Sequence, residues 1–339
     1  MLIKNYTLKA HLYSINTKTL NLTMNILICG ATGFIGRSFL ERLIKNKKNN
    51  IFAVYNNKNK IHYSKSSIKW IKCDLRNEKA VNKLTKGMDV VIQAAATTTG
   101  SKDVINQPFV HVTDNAVMNA YLFRSCYLNK VKQCIFFSCT TMYKSSLKPI
   151  KEDDFNPLKD IEPKYFGVAT TKVYNEKMCE FFASLGKTKY TAIRHSNIYG
   201  PYDKFDLERS HVFGATVTKV MTAKEKIVVW GKGKEKRDLL YIDDLVDFVL
   251  LAIKKQKNNF ELLNCGLGKA ISINELVKKI IKASKKKLTI EYDLTKPNIP
   301  TYLSVDCSKA KKLLGWKPKV TLDKGIEKTI QWWKKEFKY

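Results

Sequence analysis

The chain has 339 residues, 44% hydrophobic and 11% aromatic, which is enough apolar material for a large core and excludes global disorder. Sixty-one basic residues face 30 acidic ones, a formal net charge of +31. Only positions 37, 42, 76, 124, 194, 209 and 237 are arginine, the usual bidentate reader of phosphates and guanine edges, while lysine is spread along the whole chain. That pattern argues against nucleic-acid binding as the main function and for a lysine-coated protein that prefers anionic ligands.

No apolar run approaches the ~20 residues that span a bilayer. The eight cysteines are scattered with no CxxC pair, so they read as reduced thiols of a cytoplasmic protein with no metal site. Residues 1–23 have little periodicity and no cleavage-site pattern, and are expected to be an extension outside the fold or a start called too early.

From Met24 onward, short apolar runs alternate with amphipathic stretches. Strands are predicted at Asn25–Cys29, Ile51–Tyr55, Ile68–Cys73, Val90–Ala94, Gln133–Ser138 and Tyr190–Arg194. Helices are predicted at Phe34–Lys45, Glu78–Lys86, Val112–Asn129 and Thr170–Leu185. This alternation implies an α/β fold, a doubly wound parallel sheet covered on both faces. The regularity fails after Asn197. A loop over Gly200–Arg209 precedes a helix at His211–Ala223, short strands at Ile227–Trp230, Leu239–Ile242 and Phe260–Asn264, a helix at Ile273–Ser284 and a tail over Ser308–Trp333. The predicted organisation is a first domain over 24–196 plus about 238–264, and a smaller C-terminal substrate-binding lobe from 197–237 and 265–339.

The strongest local signal is the stretch from Gly30 through Ala31, Thr32, Gly33, Phe34 and Ile35 to Gly36, which follows a strand and opens a helix. In that context Gly30 permits the tight turn, Gly33 lets the backbone approach a pyrophosphate, and Gly36 lets helix and strand pack closely. The helix start then offers free N–H groups and a positive dipole end to phosphate. Gly30, Thr32, Gly33, Phe34, Ile35 and Gly36 are therefore the candidate phosphate-binding residues.

With this GxxGxxG spacing the chain resembles the extended short-chain dehydrogenases (the NAD-dependent epimerase/dehydratase family) over about 24–335. Asp74-Leu75 matches the family's adenine-contacting pair, Ala94-Ala95-Ala96 its alanine turn beneath the cofactor, and Asn115 its core-stabilising helix asparagine. Asn264-Cys265-Gly266 and Leu314-Gly315-Trp316-Lys317-Pro318 resemble its late signatures. Within the family, the segments Asn197–Phe205, Ser210-His211-Val212, Val228–Gly231 and Arg237 before Tyr241-Ile242-Asp243-Asp244 resemble the GDP-L-fucose synthase-like epimerase-reductases.

The resemblance implies a Rossmann-type fold and hydride transfer between a nicotinamide cofactor and a nucleotide-diphosphate sugar, GDP- or another. It also implies a homodimer paired through the helices at Val112–Asn129 and Thr170–Leu185, with no membrane partner. No acid ends the second strand, Val54–Lys58, to bind a ribose 2′-hydroxyl. Lys58 or Lys60 can meet a 2′-phosphate instead, so NADP is favoured over NAD. Lys172 matches the family lysine that binds the nicotinamide ribose and lowers a tyrosine pKa. His211 matches the histidine acid of the epimerisation. Lys219 and Arg237 match basic positions near the nucleotide diphosphate, and Asn197 and Trp230 fall among the substrate segments.

Three catalytic slots depart from the pattern. The tyrosine expected four residues before Lys172 is Val168, which exchanges no proton. Tyr165 stands seven residues before Lys172, roughly 10 Å along a regular helix, and reaches the site only if Gly167 breaks the helix start. The serine or threonine slot is Cys139, beside Thr140, and the base slot two residues on is Thr141. Cys139, Thr140, Thr141, Tyr165, Lys172 and His211 are therefore the candidate catalytic residues. The alternative is a catalytically impaired protein on the same scaffold, which binds dinucleotide and nucleotide sugar as a regulator or assembly partner.

Overall fold

The structure is a computed structural model that describes residues 23–58, 61, 67–98, 107–207, 210–295 and 301–338. The extension 1–22 and Lys60 lie outside the described residues.

Seven strands form one sheet: β1 (Asn25–Cys29), β2 (Asn50–Tyr55), β3 (Ile68–Lys72), β4 (Val90–Gln93), β5 (Gln133–Phe137), β6 (Lys189–His195) and β10 (Phe260–Cys265). Their order is β10-β6-β5-β4-β1-β2-β3, and all the pairings are parallel. The continuously apolar strands follow from coverage on both faces. Leu27 and Cys29 of β1 point to one side with Val91, Cys134 and Phe136. Ile26 and Ile28 point to the other with Ala53, Ile92 and Ile135.

The first side is covered by α2 (Glu78–Leu84), α3 (Thr113–Leu128) and α4 (Phe166–Ser184), through Val81, Leu122, Phe123, Cys126, Cys179 and Phe182. The second side is covered by α1 (Phe34–Leu43) and α6 (Ile242–Lys255), through Phe39, Leu40, Val246 and Val249. The strand order reverses at β1, whose neighbours are β2 and β4. In such sheets the crevice outside the strand C-termini at that reversal is where ligands bind.

After the sixth strand the chain also forms α5 (Val212–Thr222) and α7 (Ile273–Ser284), and it closes with α8 (Ser308–Leu314) and α9 (Leu322–Glu336). Two small sheets complete the structure. One joins β7 (Asn197–Tyr199), β9 (Lys236–Tyr241) and β11 (Ala270–Ser272). The other joins β8 (Lys226–Trp230) and β12 (Thr289–Asp293). Most predicted elements stand within a few residues of their expected bounds. The fourth helix is the exception, because α4 begins at Phe166 rather than Thr170. A 3-10 turn at Pro163–Tyr165 feeds directly into it, since proline pre-sets the backbone angle of a helix start.

Candidate active site

The phosphate turn has the geometry its sequence demands. Gly30 has φ +73°, and a Cβ there would stand 2.7 Å from the Ala95 nitrogen. A Cβ on Gly36 would overlap the Gly30 carbonyl oxygen. Gly33 is the N-cap of α1, and no side chain caps the helix, so the first-turn donors face the crevice without an internal acceptor. Two glycine contact points and an uncapped helix start fit a dinucleotide pyrophosphate.

Opposite the turn, Ala94, Ala95 and Ala96 run on from β4, with the Ala94 N–H donating to the Cys29 carbonyl at 3.1 Å. Asn115 fixes the next residues: its Oδ1 accepts from Thr97 N and its Nδ2 donates to Thr97 O, both at 3.0 Å. Beyond β2 and β3 lies the far end of the crevice. There Leu75 is buried and Lys58 is exposed. Arg76 hydrogen-bonds Asp74 at 2.8 Å and holds its carboxyl down at about 2.

At the other end, the residues after β5 meet α4. Lys172 Nζ donates to the Phe137 carbonyl at 2.7 Å. Burial pulls the Lys172 pKa down, while Cys139 and Glu176 push it up. Cys139 Sγ lies 2.7 Å from Thr141 Oγ1, and Thr140 between them is buried. Tyr165 ends the 3-10 turn and packs beside Met142, Phe155 and Ala169. Burial raises its phenol pKa, Arg237 opposes the rise, and Glu162 and Cys139 add to it.

Gly167 does not break the helix start, since α4 runs through it. Tyr165 and Lys172 both lie within the field of the residues that follow β5. Cys139 is the group that acts on both of them.

The segments after β7 contribute cations and an aromatic ring. Lys219 Nζ sits 5.1 Å from the centre of the half-exposed Trp230 ring and donates to the Val228 carbonyl at 3.0 Å. Burial lowers its pKa. Arg237 donates to the carbonyls of Lys236 and Thr301, both at 3.1 Å. Asn197 Nδ2 donates to the Asp238 carbonyl at 3.3 Å. His211 is the N-cap of α5 without a capping side-chain bond. Its surrounding atoms, then Lys204 and His111, lower its pKa. Cys139 and Thr141 are thus in contact, Cys139 lies in the field of both Lys172 and Tyr165, and Arg237 acts on Tyr165. Lys219 and Trp230 form a separate pair, and Lys58 and Asp74 mark the opposite end of the crevice.

Two residues beyond the predicted set belong to this region. His195 ends β6, and its Nδ1 lies 2.8 Å from the Ser196 carbonyl. Burial pulls its pKa down to about 4; the Ser196 bond opposes this, and Lys172 and His211 add to the lowering. Asp203 stands in the loop after β7, buried beside the phosphate turn. The one sequence sign of His195 was its place directly after the strand predicted to end at Arg194. Asp203 carried no sign beyond its place in the resembling segment.

The NAD dependent epimerase/dehydratase family matches residues 26–266. The GDP-L-colitose synthase of Yersinia pseudotuberculosis is 28% identical over 320 residues, covering 92% of this chain and 99% of that protein. A GDP-L-fucose synthase of Sinorhizobium fredii is 30% identical over 269 residues, covering 77% and 84%. Among solved structures, the UDP-glucose 4-epimerase of Thermotoga maritima with UDP-glucose superposes with a TM-score of 0.82. At 24% identity, covering 93% of this chain and all of that one, it matches in fold.

Proposed function

The chain belongs to the NAD dependent epimerase/dehydratase family, and from that premise we propose that it is a nucleotide-sugar-modifying oxidoreductase or epimerase of sugar or polysaccharide biosynthesis. One observation carries the reading: an uncapped glycine turn and the Lys172–Cys139 neighbourhood share the C-terminal edge of one parallel sheet. The glycine turn at α1 would hold the phosphates of a dinucleotide laid along that edge, and Lys172 its nicotinamide end. Hydride exchange is the chemistry the dinucleotide supplies when bound. The chain's own part is to hold the sugar and move a proton at its reacting oxygen.

Cys139 is placed for that proton, with Thr141 hydrogen-bonded to it. Tyr165 and Arg237 flank the same space, Arg237 and Lys219 supply charge for a diphosphate, and His211 stands at the cleft mouth as a second acid or base. Asn197 and Trp230 complete the sugar-nucleotide side. The relatives named for GDP-sugar synthesis favour a GDP-sugar, and Lys58 beyond β2 favours NADP over NAD.

Apolar side chains exposed on neighbouring helices, Leu128 on α3 and Phe166, Tyr174 and Phe181 on α4, support a homodimer paired through those helices. Among the described residues no helix is long and apolar enough to cross a membrane. We place the protein in the cytoplasm, with neither membrane nor nucleic acid as partner.

A second reading rests on Val168 and Thr141, which stand where the family pattern has catalytic side chains: a protein that binds both ligands and turns over neither. Absorbance at 340 nm separates the two, with NAD(H) or NADP(H) and GDP- and UDP-sugars supplied in turn. The enzyme reading expects a sugar-dependent change, lowered about 10²–10⁴-fold by Cys139→Ala. Dinucleotide binding without turnover of any sugar leaves the second reading, and no dinucleotide binding overturns both.

A further inference from the structure

His195 ends β6 at the C-terminal edge of the large sheet, between β5 and β10. Its ring meets the ring of Phe137 edge-to-face, with the two centres 6.2 Å apart. The carbonyl of the same Phe137 takes the Lys172 ammonium at 2.7 Å. One residue at the end of β5 therefore touches both the histidine ring and the lysine, and sets them on the same stretch of the edge.

The hydrogen bonding of the ring fixes what it can do. Nδ1 lies 2.8 Å from the Ser196 carbonyl oxygen. A carbonyl only accepts, so Nδ1 carries a proton. Burial, helped by Lys172 and His211 against the Ser196 bond, keeps the ring neutral above about pH 4. Nε2 then holds a bare lone pair. No described residue bonds that nitrogen. The side chain is half-buried, and neither ring nitrogen is among the atoms enclosed without a partner, so Nε2 keeps an open edge. The cations near it in the field, Lys172 above all, can only donate. A neutral acceptor in this neighbourhood suits a ligand group that brings its own N–H. At the reactive end of a nicotinamide dinucleotide, the ring offers such a group in its carboxamide.

We infer that His195 binds and orients the nicotinamide ring, its Nε2 accepting an N–H of the carboxamide. This rests on the proposed dinucleotide site, with the nicotinamide end at Lys172. One hydrogen bond forms and no covalent bond changes. The residue thereby helps to decide which ring face meets the sugar.

The test compares NAD or NADP, whichever binds, with its 3-acetylpyridine analogue, in which a methyl group replaces the amide nitrogen. Affinities are measured by calorimetry for the wild type and for His195→Phe. The preference for the parent over the analogue is expected to be about tenfold larger in the wild type, with the loss in the variant falling on the parent. Other contacts of the two ligands are shared and cancel in this ratio. Equal preference in the two proteins overturns the inference and leaves the dinucleotide site standing.

A long-range ¹H–¹⁵N spectrum of the wild type needs no variant to fold. It should show a histidine protonated at Nδ1, whose Nε2 resonance moves with the parent and stays in place with the analogue. A spectrum without such a ring, or an Nε2 resonance that moves alike with both, also overturns the inference. A wild type that binds neither ligand overturns the dinucleotide site and this inference together.

Discussion

Lys172 Nζ donates to the Phe137 carbonyl at 2.7 Å, which holds a half-buried ammonium from α4 across the end of β5. The bond fixes the lysine at the place where Cys139 leaves the sheet. Lys172→Met keeps the length of the stem and removes the charge. The expected result is a fall in turnover of about 10²–10⁴-fold, with weaker dinucleotide binding and an unchanged fold by circular dichroism. A variant that retains turnover removes Lys172 from the proposed chemistry.

The phosphate turn was legible because context and spacing agreed: a strand, three glycines and an apolar helix, with Gly30 required by its packing against Ala95 and Gly36 by its packing against Gly30. The parallel sheet was legible because Leu27 and Ile28 are apolar towards opposite faces. The start of α4 was not, because its first residues are exposed or half-buried and blur the apolar period. The catalytic end was legible only as a set of substitutions. Nothing in the order Cys139, Thr140, Thr141 says that the first and third side chains touch. Lysine abundance hid the useful cations: Lys204, which donates to the Thr98 carbonyl at 3.0 Å across the crevice, looks in sequence like any other. The short strands β11 and β12 escaped because their residues are at best half-buried.

Behind the site a buried ion pair holds α4 to β6. Arg194 Nη2 lies 2.7 Å from Glu176 Oε2, and Nε lies 3.0 Å from Oε1; both side chains are almost fully buried. Ser138 donates to Glu176 at 2.5 Å, and Arg194 also donates to Tyr143 at 3.1 Å. Removing one charge strands the other in a low-dielectric interior. Glu176→Gln is therefore expected to destabilise the fold by about 3–5 kcal/mol, read as a lower urea midpoint at unchanged slope. Arg194→Met combined with Glu176→Leu should cost less than the two single changes added together, because no unpaired charge remains.

His195 gives the stability a pH signature of definite sign. Its folded-state pKa lies at about 4 against an ordinary 6.5, so the unfolded chain binds its proton first as pH falls. The stabilising effect of the neutral ring is fully present above about pH 6.5 and is lost towards pH 4, by at most about 3 kcal/mol. Asp203 and Asp238, with carboxyls raised to about 7 and about 6, work in the opposite direction: their neutral forms favour the fold at low pH. Total stability against pH therefore mixes the two signs, and the useful quantity is the difference between wild type and His195→Phe, in which the aspartates cancel. That difference, from urea unfolding at pH steps between about 7 and about 4, should shift progressively in favour of the variant on acidification. A difference that stays level across the range would mean that the ring is protonated as easily in the folded protein as in the unfolded chain.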